Sequence, residues 1–279
     1  MSKRSSSIIE NNDPEIEVII VNTVKPVEKR KPNKTMSIEE QELLRKIDIR
    51  IIPLFSALCI LSFIDKLNIG NAKLEHIEED LELTPTQYNW LLSAFFVAYV
   101  LFEVPSNVML MNTKPSIWIS SIMLACGIIM IFTAAAKDFP QIMILRFLLG
   151  MFEAGFFPGV IFYITKWYKN SEENYRISLF CSAATIAGAF SGLMSFSVAT
   201  FLNKINGLSG WQWILIIDGV FKCTIALFSY YLIPDSAETA SWLTKEEQKL
   251  AVERLNDEPS HAHESYSEIH QILDAFKDW

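Results

Sequence analysis

Six blocks of predominantly apolar residues alternate with short polar connections along the chain. They run from about Ile47 to Ala72, Tyr88 to Met111, Ser116 to Ala136, Ile142 to Trp167, Ile177 to Leu202 and Trp211 to Ile233. A helix of roughly 20 apolar residues covers the ~30 Å hydrocarbon layer of a bilayer. The pattern therefore predicts an all-α membrane protein with six transmembrane helices. Helix-breaking residues punctuate the connections: Thr84-Pro85, Lys114-Pro115, Asp138-Phe139-Pro140, Asn206-Gly207 and Ser209-Gly210.

Three regions follow. Residues 1–45 read as a polar cytoplasmic tail too poor in apolar residues to fold by itself, 46–233 as the six-helix bundle, and 234–279 as a cytoplasmic amphipathic segment. Within the first region the run Ile16 to Val21 is too short, and its flanks too acidic, for a signal peptide. The first true span is then the insertion signal. In the last region Thr244-Lys245-Glu246-Glu247 fits a capping box that opens a helix through about Asn256. An apolar stripe of Ile269, Ile272, Leu273 and Phe276 predicts a second helix there.

Loop charges orient the bundle. Lys25, Lys29, Arg30, Lys31, Lys34, Arg45, Lys46 and Arg50 precede or open the first span, and Lys166, Lys169 and Arg176 lie between the fourth and fifth. The connection after the first span is acidic, with Glu75, Glu78, Glu79, Asp80 and Glu82. Lysine and arginine concentrate on the cytoplasmic side, so both termini are expected in the cytosol, of a plasma membrane or alternatively an internal one. The sequon Asn33-Lys34-Thr35 would then stay unused.

Composition narrows the chemistry. The chain is 51% hydrophobic with 19 phenylalanines, and its net charge of −8 leaves no basic footprint for nucleic acid. Cys59, Cys126, Cys181 and Cys223 each fall in a different block, so no disulfide framework or zinc site is implied. His76, His261, His263 and His270 lie outside the spans. No metal, cofactor, nucleophile elbow or phosphate loop is expected, and the chain does not read as an enzyme.

Charged residues at membrane depth are costly and normally face a bundle interior or a water-filled path. Arg146 and Glu153 lie seven residues apart in the fourth block, on one helix face and ~10 Å apart along the axis. Arg146 can snorkel outward, whereas Glu153 lies near mid-depth and is expected to pass part of its working cycle protonated. In the first block Asp65 and Asn68 share a face while Lys66 points elsewhere. Asp65-Lys66 either ends the span in the headgroups or, if the helix continues through Leu67 and Ile69, lies inside the membrane. Tyr99, Glu103 and Asn107 form a polar stripe at i, i+4 and i+8, with Glu103 a candidate structural carboxylate bonded to a neighbouring helix. Asp218 and Lys222 at i, i+4 can neutralise each other within one helix. Gly155–Gly159 and Gly188–Gly192 are small-residue pairs suited to close helix packing. Pro53, Pro105 and Pro158 predict kinks.

The segments IDKLNIGNAK (64–73), EVPSN (103–107), KPSIWIS (114–120), RFLLGMFEAGFFPG (146–159), ITKWY (164–168), SGWQWILIIDG (209–219) and IPDSAETASWLTKEEQ (233–248) together resemble the fungal allantoate permease family. That family is an anion:cation symporter branch of the major facilitator superfamily. The resemblance implies twelve-helix carriers of two six-helix halves, with small organic anions (allantoate, nicotinate, pantothenate, other vitamins or sulfur compounds) bound between them and moved with protons. It departs from the family pattern at Lys66, where arginine is usual, at Gln212 and Asp218, where arginine and glutamate are usual, and at Cys126, where tryptophan is common. Lysine offers a point charge without the planar fork of arginine.

The resemblance implies that Arg146 holds the substrate anion, that Asp65-Lys66 is the first-span charged pair, and that Asp65 and Glu153 couple protons; Lys66, Asn68 and Tyr99 are expected to join Arg146 in substrate binding. Glu103, Asn107, Asp218 and Lys222 are expected as structural polar groups. The expected partners are a small organic anion, a proton and the lipid bilayer. The chain reads as the amino-terminal half of a carrier, needing a separate carboxyl-terminal half or a second copy to complete the site. The rival reading is a non-transporting membrane protein, truncated but folded, acting as a sensor or partner subunit.

Overall fold

A computed structural model describes residues 37–202 and 204–256. The expected second helix of the tail, the His261, His263 and His270 group and the residues before Ser37 lie outside the described residues. All regular structure among the described residues is helical. In order these helices are α1 (Ile38–Leu74), α2 (Ile77–Asp80), α3 (Pro85–Met111), α4 (Pro115–Ala134), α5 (Phe139–Glu153), α6 (Phe156–Thr165), α7 (Asn170–Phe201), α8 (Gly210–Leu232) and α9 (Lys245–Asn256). Short 3₁₀ turns at Ile205–Gly207 and Ala237–Thr239 join the later ones.

Six segments are long and apolar enough to cross a membrane: α1, α3, α4, α5 with α6, α7 through Val198, and α8. Two begin seven or more residues before their apolar blocks. The 37 residues of α1 start at Ile38, because Leu43, Leu44 and Ile47 recur at helical spacing and are buried. Likewise α7 opens at Asn170 with Glu172 and Glu173 in its first turn, where acidic side chains favour the helix dipole.

The fourth span is broken. Helix α5 stops at Glu153 and α6 starts at Phe156. Pro158 has no N–H to give the carbonyl of Ala154, and its ring crowds that carbonyl, so the break sits one turn before the proline. Pro53 and Pro105 leave α1 and α3 continuous.

Close backbone approach is confined to a few glycines. A Cβ on Gly219 would come within 2.7 Å of the Gly127 carbonyl, which locks α8 against α4. A Cβ on Gly150 would meet the Phe95 carbonyl at 2.2 Å, and one on Gly155 would meet Ser106 Oγ at 1.9 Å. The expected Gly188–Gly192 pair is different: no atom lies within 4 Å of either added Cβ. That stripe does not pack within the described residues.

Polar ties hold the ends of the bundle. At one end Arg176 donates to both oxygens of Asp48 (2.7 and 2.9 Å) and Arg254 of α9 donates to the Trp167 carbonyl (3.0 Å). Trp167 and Trp242 stack with ring centroids 6.0 Å apart. At the other end Trp211 Nε1 donates to Asp80 (2.8 Å) and Tyr88 donates to the Ile69 carbonyl (3.0 Å). Elsewhere the surface is apolar, with Phe96, Val100, Leu101, Leu193 and Phe196 more than half exposed. Such a surface suits lipid or other helices rather than water.

Candidate functional site

Helix α1 supplies four polar side chains over two turns. Ser62, Asp65, Lys66 and Asn68 follow Leu61, and the helix runs on unbroken to Leu74. Asp65 and Asn68 are fully buried, so this segment belongs to the bundle interior and is not a helix end. Arg146 and Glu153 come from α5, and Asp218 and Lys222 from α8, all buried. Six charged residues thus gather inside, three acids (Asp65, Glu153, Asp218) and three bases (Lys66, Arg146, Lys222).

Their pairing crosses between helices. Glu153 Oε1 accepts a hydrogen bond from Ser62 and lies 3.4 Å from Lys66 Nζ. The Lys66 ammonium also sits 5.0 Å from the ring centroids of both Tyr99 and Phe63, within cation–π range. Lys222 forms its ion pair with Asp65. The spacing of Asp218 and Lys222 pointed to a pair within α8. That expectation is corrected here, because the Lys222 side chain reaches across the bundle to α1. Asp218 Oδ2 instead accepts from Asn68 Nδ2 at 2.8 Å.

Arg146 is the exception. It is 2% exposed, and neither Nε nor Nη2 has a hydrogen-bond partner. It neither snorkels outward nor pairs with Glu153. Glu103 is half-buried and bonds to no neighbouring helix among the described residues, contrary to the structural role expected of it, and the buried Oδ1 of Asn107 is unpartnered.

A cavity of about 230 Å³ opens beside the Lys66–Glu153 pair, lined by Ser62, Phe63, Lys66, Tyr99, Glu153, Phe156 and Phe157. Of the substrate residues expected, Lys66 and Tyr99 line it. Asn68 is turned to Asp218, and Arg146 lies outside the lining. Ser62 escaped the sequence reading, although it stands one turn before Lys66 on the same face. Among the described residues no group of His, Cys, Asp and Glu is arranged to hold a metal.

Residues 54–276 match the family model described as Major Facilitator Superfamily. The chain belongs to this superfamily. It is 42% identical over 224 residues to the MFS transporter prlL of a fungal species (strain NRRL 50135), covering 78% of this chain and 45% of the relative. The MFS-type transporter efuF of Hormonema carpetanum is 34% identical over 84% of this chain and 47% of its own length. The major facilitator-type transporter hxnP of Emericella nidulans is 32% identical, with 86% and 49% covered. The superfamily chain described here spans about half the length of these curated relatives, whose names are those of transporters rather than enzymes.

The fold likeness extends to a crystal structure of a bacterial homologue of the human lysosomal transporter Spinster, inward-facing and unoccupied. It has a TM-score of 0.58, 20% identity, and coverage of 67% of this chain and 43% of that one. Membership of the superfamily, with six segments able to cross a bilayer, implies a membrane setting.

Proposed function

We propose that this chain forms part of a carrier that moves a small organic anion across a membrane together with protons, within the allantoate permease branch of the superfamily. The observation that carries the proposal is Arg146, a permanent cation buried in the bundle with two guanidinium N–H groups unpartnered. Such a group is costly to bury, and an anion that reaches it meets charge and donors already in place. In the proposed cycle the anion is drawn through the cavity beside Lys66 and Tyr99 toward Arg146. Asn68 holds Asp218 and shapes the inner wall.

Protonation has a defined place in this reading. Glu153 holds Lys66 while ionised. When Glu153 takes a proton the ion pair breaks and the Lys66 ammonium is freed for the anion. Asp65 plays the same part toward Lys222. The basic end of the bundle, where Arg176, Arg254 and Lys46 find their carboxylates, is placed in the cytosol with both termini, and the acidic α1–α3 connection outside. The plasma membrane is the proposed location.

The test is uptake of radiolabelled carboxylates by cells that make this chain joined to the carboxyl-terminal portion of a matched relative. The chain should support concentrative uptake driven by a proton gradient, and Glu153→Gln should abolish concentration while leaving exchange of anion in place. Concentrative uptake by Glu153→Gln would overturn the coupling role. No uptake of any carboxylate would favour a non-transporting membrane protein.

A further inference from the structure

A second cavity, of about 330 Å³, opens at the end of the bundle that carries α9 and shares no lining residue with the one beside Lys66. Lys114 and Ser116 line it from the start of α4, Tyr230 and Tyr231 from the last turn of α8, and Asp235 and Trp242 from the connection to α9. Both α4 and α8 are long and apolar enough to cross a membrane, so the cavity lies where their ends meet the bilayer boundary.

Its wall is fixed by a few bonds. Tyr163 donates to the Pro234 carbonyl at 2.8 Å, and Asp235 Oδ1 accepts from the Ser116 hydroxyl at 2.5 Å and from its N–H at 3.3 Å. Asp235 Oδ2 faces Lys114 Nζ at 3.8 Å, an ion-pair distance too long for a hydrogen bond. Among the lining residues these are the single acid and the single base. The Trp242 ring is held between Trp167, stacked at 6.0 Å, and the Arg50 guanidinium at 5.6 Å, yet its Nε1 is buried with no acceptor. Away from the cavity the outer side of α8 is apolar and bare. Phe221, Leu227, Phe228 and Tyr231 fall on it, each more than half exposed, and tyrosine favours the level of the lipid headgroups.

We propose that this cavity seats the headgroup of a zwitterionic phospholipid. Its phosphate lies on the Lys114 ammonium and the Trp242 N–H, its cationic amine on Asp235 Oδ2 and the Tyr230 and Tyr231 rings, and an acyl chain along the bare side of α8. An anionic headgroup would answer Lys114 but set a second negative charge against Asp235. A soluble phosphate compound would answer the charges and leave the apolar side of α8 uncovered. The site needs only the membrane setting and does not depend on what the bundle carries.

Native mass spectrometry of the purified full chain tests this, with titration in detergent by phosphatidylcholine, phosphatidylethanolamine and phosphatidylglycerol of identical acyl chains, and by soluble phosphocholine. Both zwitterionic lipids should bind about fivefold more tightly than phosphatidylglycerol, the ratio that one charge near a membrane surface supports. Phosphocholine at the same concentration should displace neither. Lys114→Gln should weaken both by about fivefold, and Asp235→Asn should erase their advantage over phosphatidylglycerol. Tyr231 is 84% exposed and its ring meets Tyr230 at 5.4 Å. Tyr231→Ala therefore leaves the bundle intact and should weaken both zwitterionic lipids, even if Asp235→Asn unfolds through the tie to Ser116. Equal or tighter binding of phosphatidylglycerol by the unaltered chain, or zwitterionic binding indifferent to Lys114→Gln or to Tyr231→Ala, overturns the site. Displacement by phosphocholine overturns a lipid as its occupant.

Discussion

Arg146 keeps its charge at any accessible pH, yet it sits where water does not follow and two of its donor groups go unmet. Leaving buried donors unsatisfied costs about 1–3 kcal/mol. Arg146→Met should therefore raise the melting temperature of the purified chain by a few degrees, at about 2–4 °C per kcal/mol for a protein of this size, and remove carboxylate binding. A drop in melting temperature matching the ~3–5 kcal/mol of a broken buried ion pair would mean that Arg146 has a partner inside the bundle. At this scale the sequence was informative about which residues turn inward. Isolated charges in apolar blocks have few other places to go, so Asp65, Arg146, Glu153, Asp218 and Lys222 were all visible. Their partners were not. Lys222 and Asp65 stand 157 positions apart, and helical periodicity describes one helix face without saying what faces it. The nearby i, i+4 acid for Lys222 was therefore the natural reading and the incorrect one.

The elements show the same division between local and non-local information. Pro158 announced an interruption in the fourth span, and the break lies at Ala154 and Gly155 because the missing hydrogen bond is the one to residue 154. Glu153 thereby becomes the last residue of its helix, followed at once by Phe156 and Phe157 in the cavity wall. Small-residue spacing was a poorer guide. Gly188 and Gly192 have the spacing but face open space, whereas Gly127 and Gly219, neither of them in such a pair, bring two backbones together. What decides is the surface opposite, which spacing does not encode. Gly219→Ala should lower stability by about 1–3 kcal/mol through overpacking. Gly188→Ala should leave it within ~0.5 kcal/mol or raise it through helix propensity. Thermal unfolding of both variants in one detergent checks this, and equal losses would refute the assigned interface between α4 and α8.

Across the whole molecule the six spans were legible from hydrophobic block length alone, since lipid leaves helices as the economical way to satisfy a backbone. Their arrangement came from the superfamily likeness and the structure together. The interior that results holds three acids and three bases, and this balance has an electrical meaning. A cavity that loads one proton with one monovalent anion carries no net charge through the membrane field. Each uncompensated charge would feel about 2.3 kcal/mol per 100 mV. For the proposed cycle, holding the membrane voltage at different values in voltage-clamped vesicles should leave proton-coupled movement of a monocarboxylate unchanged, and a measured current would show that protons and anions do not move one for one. The energy source of such a carrier is acidity alone, and a cell could discharge its membrane potential completely without stalling it.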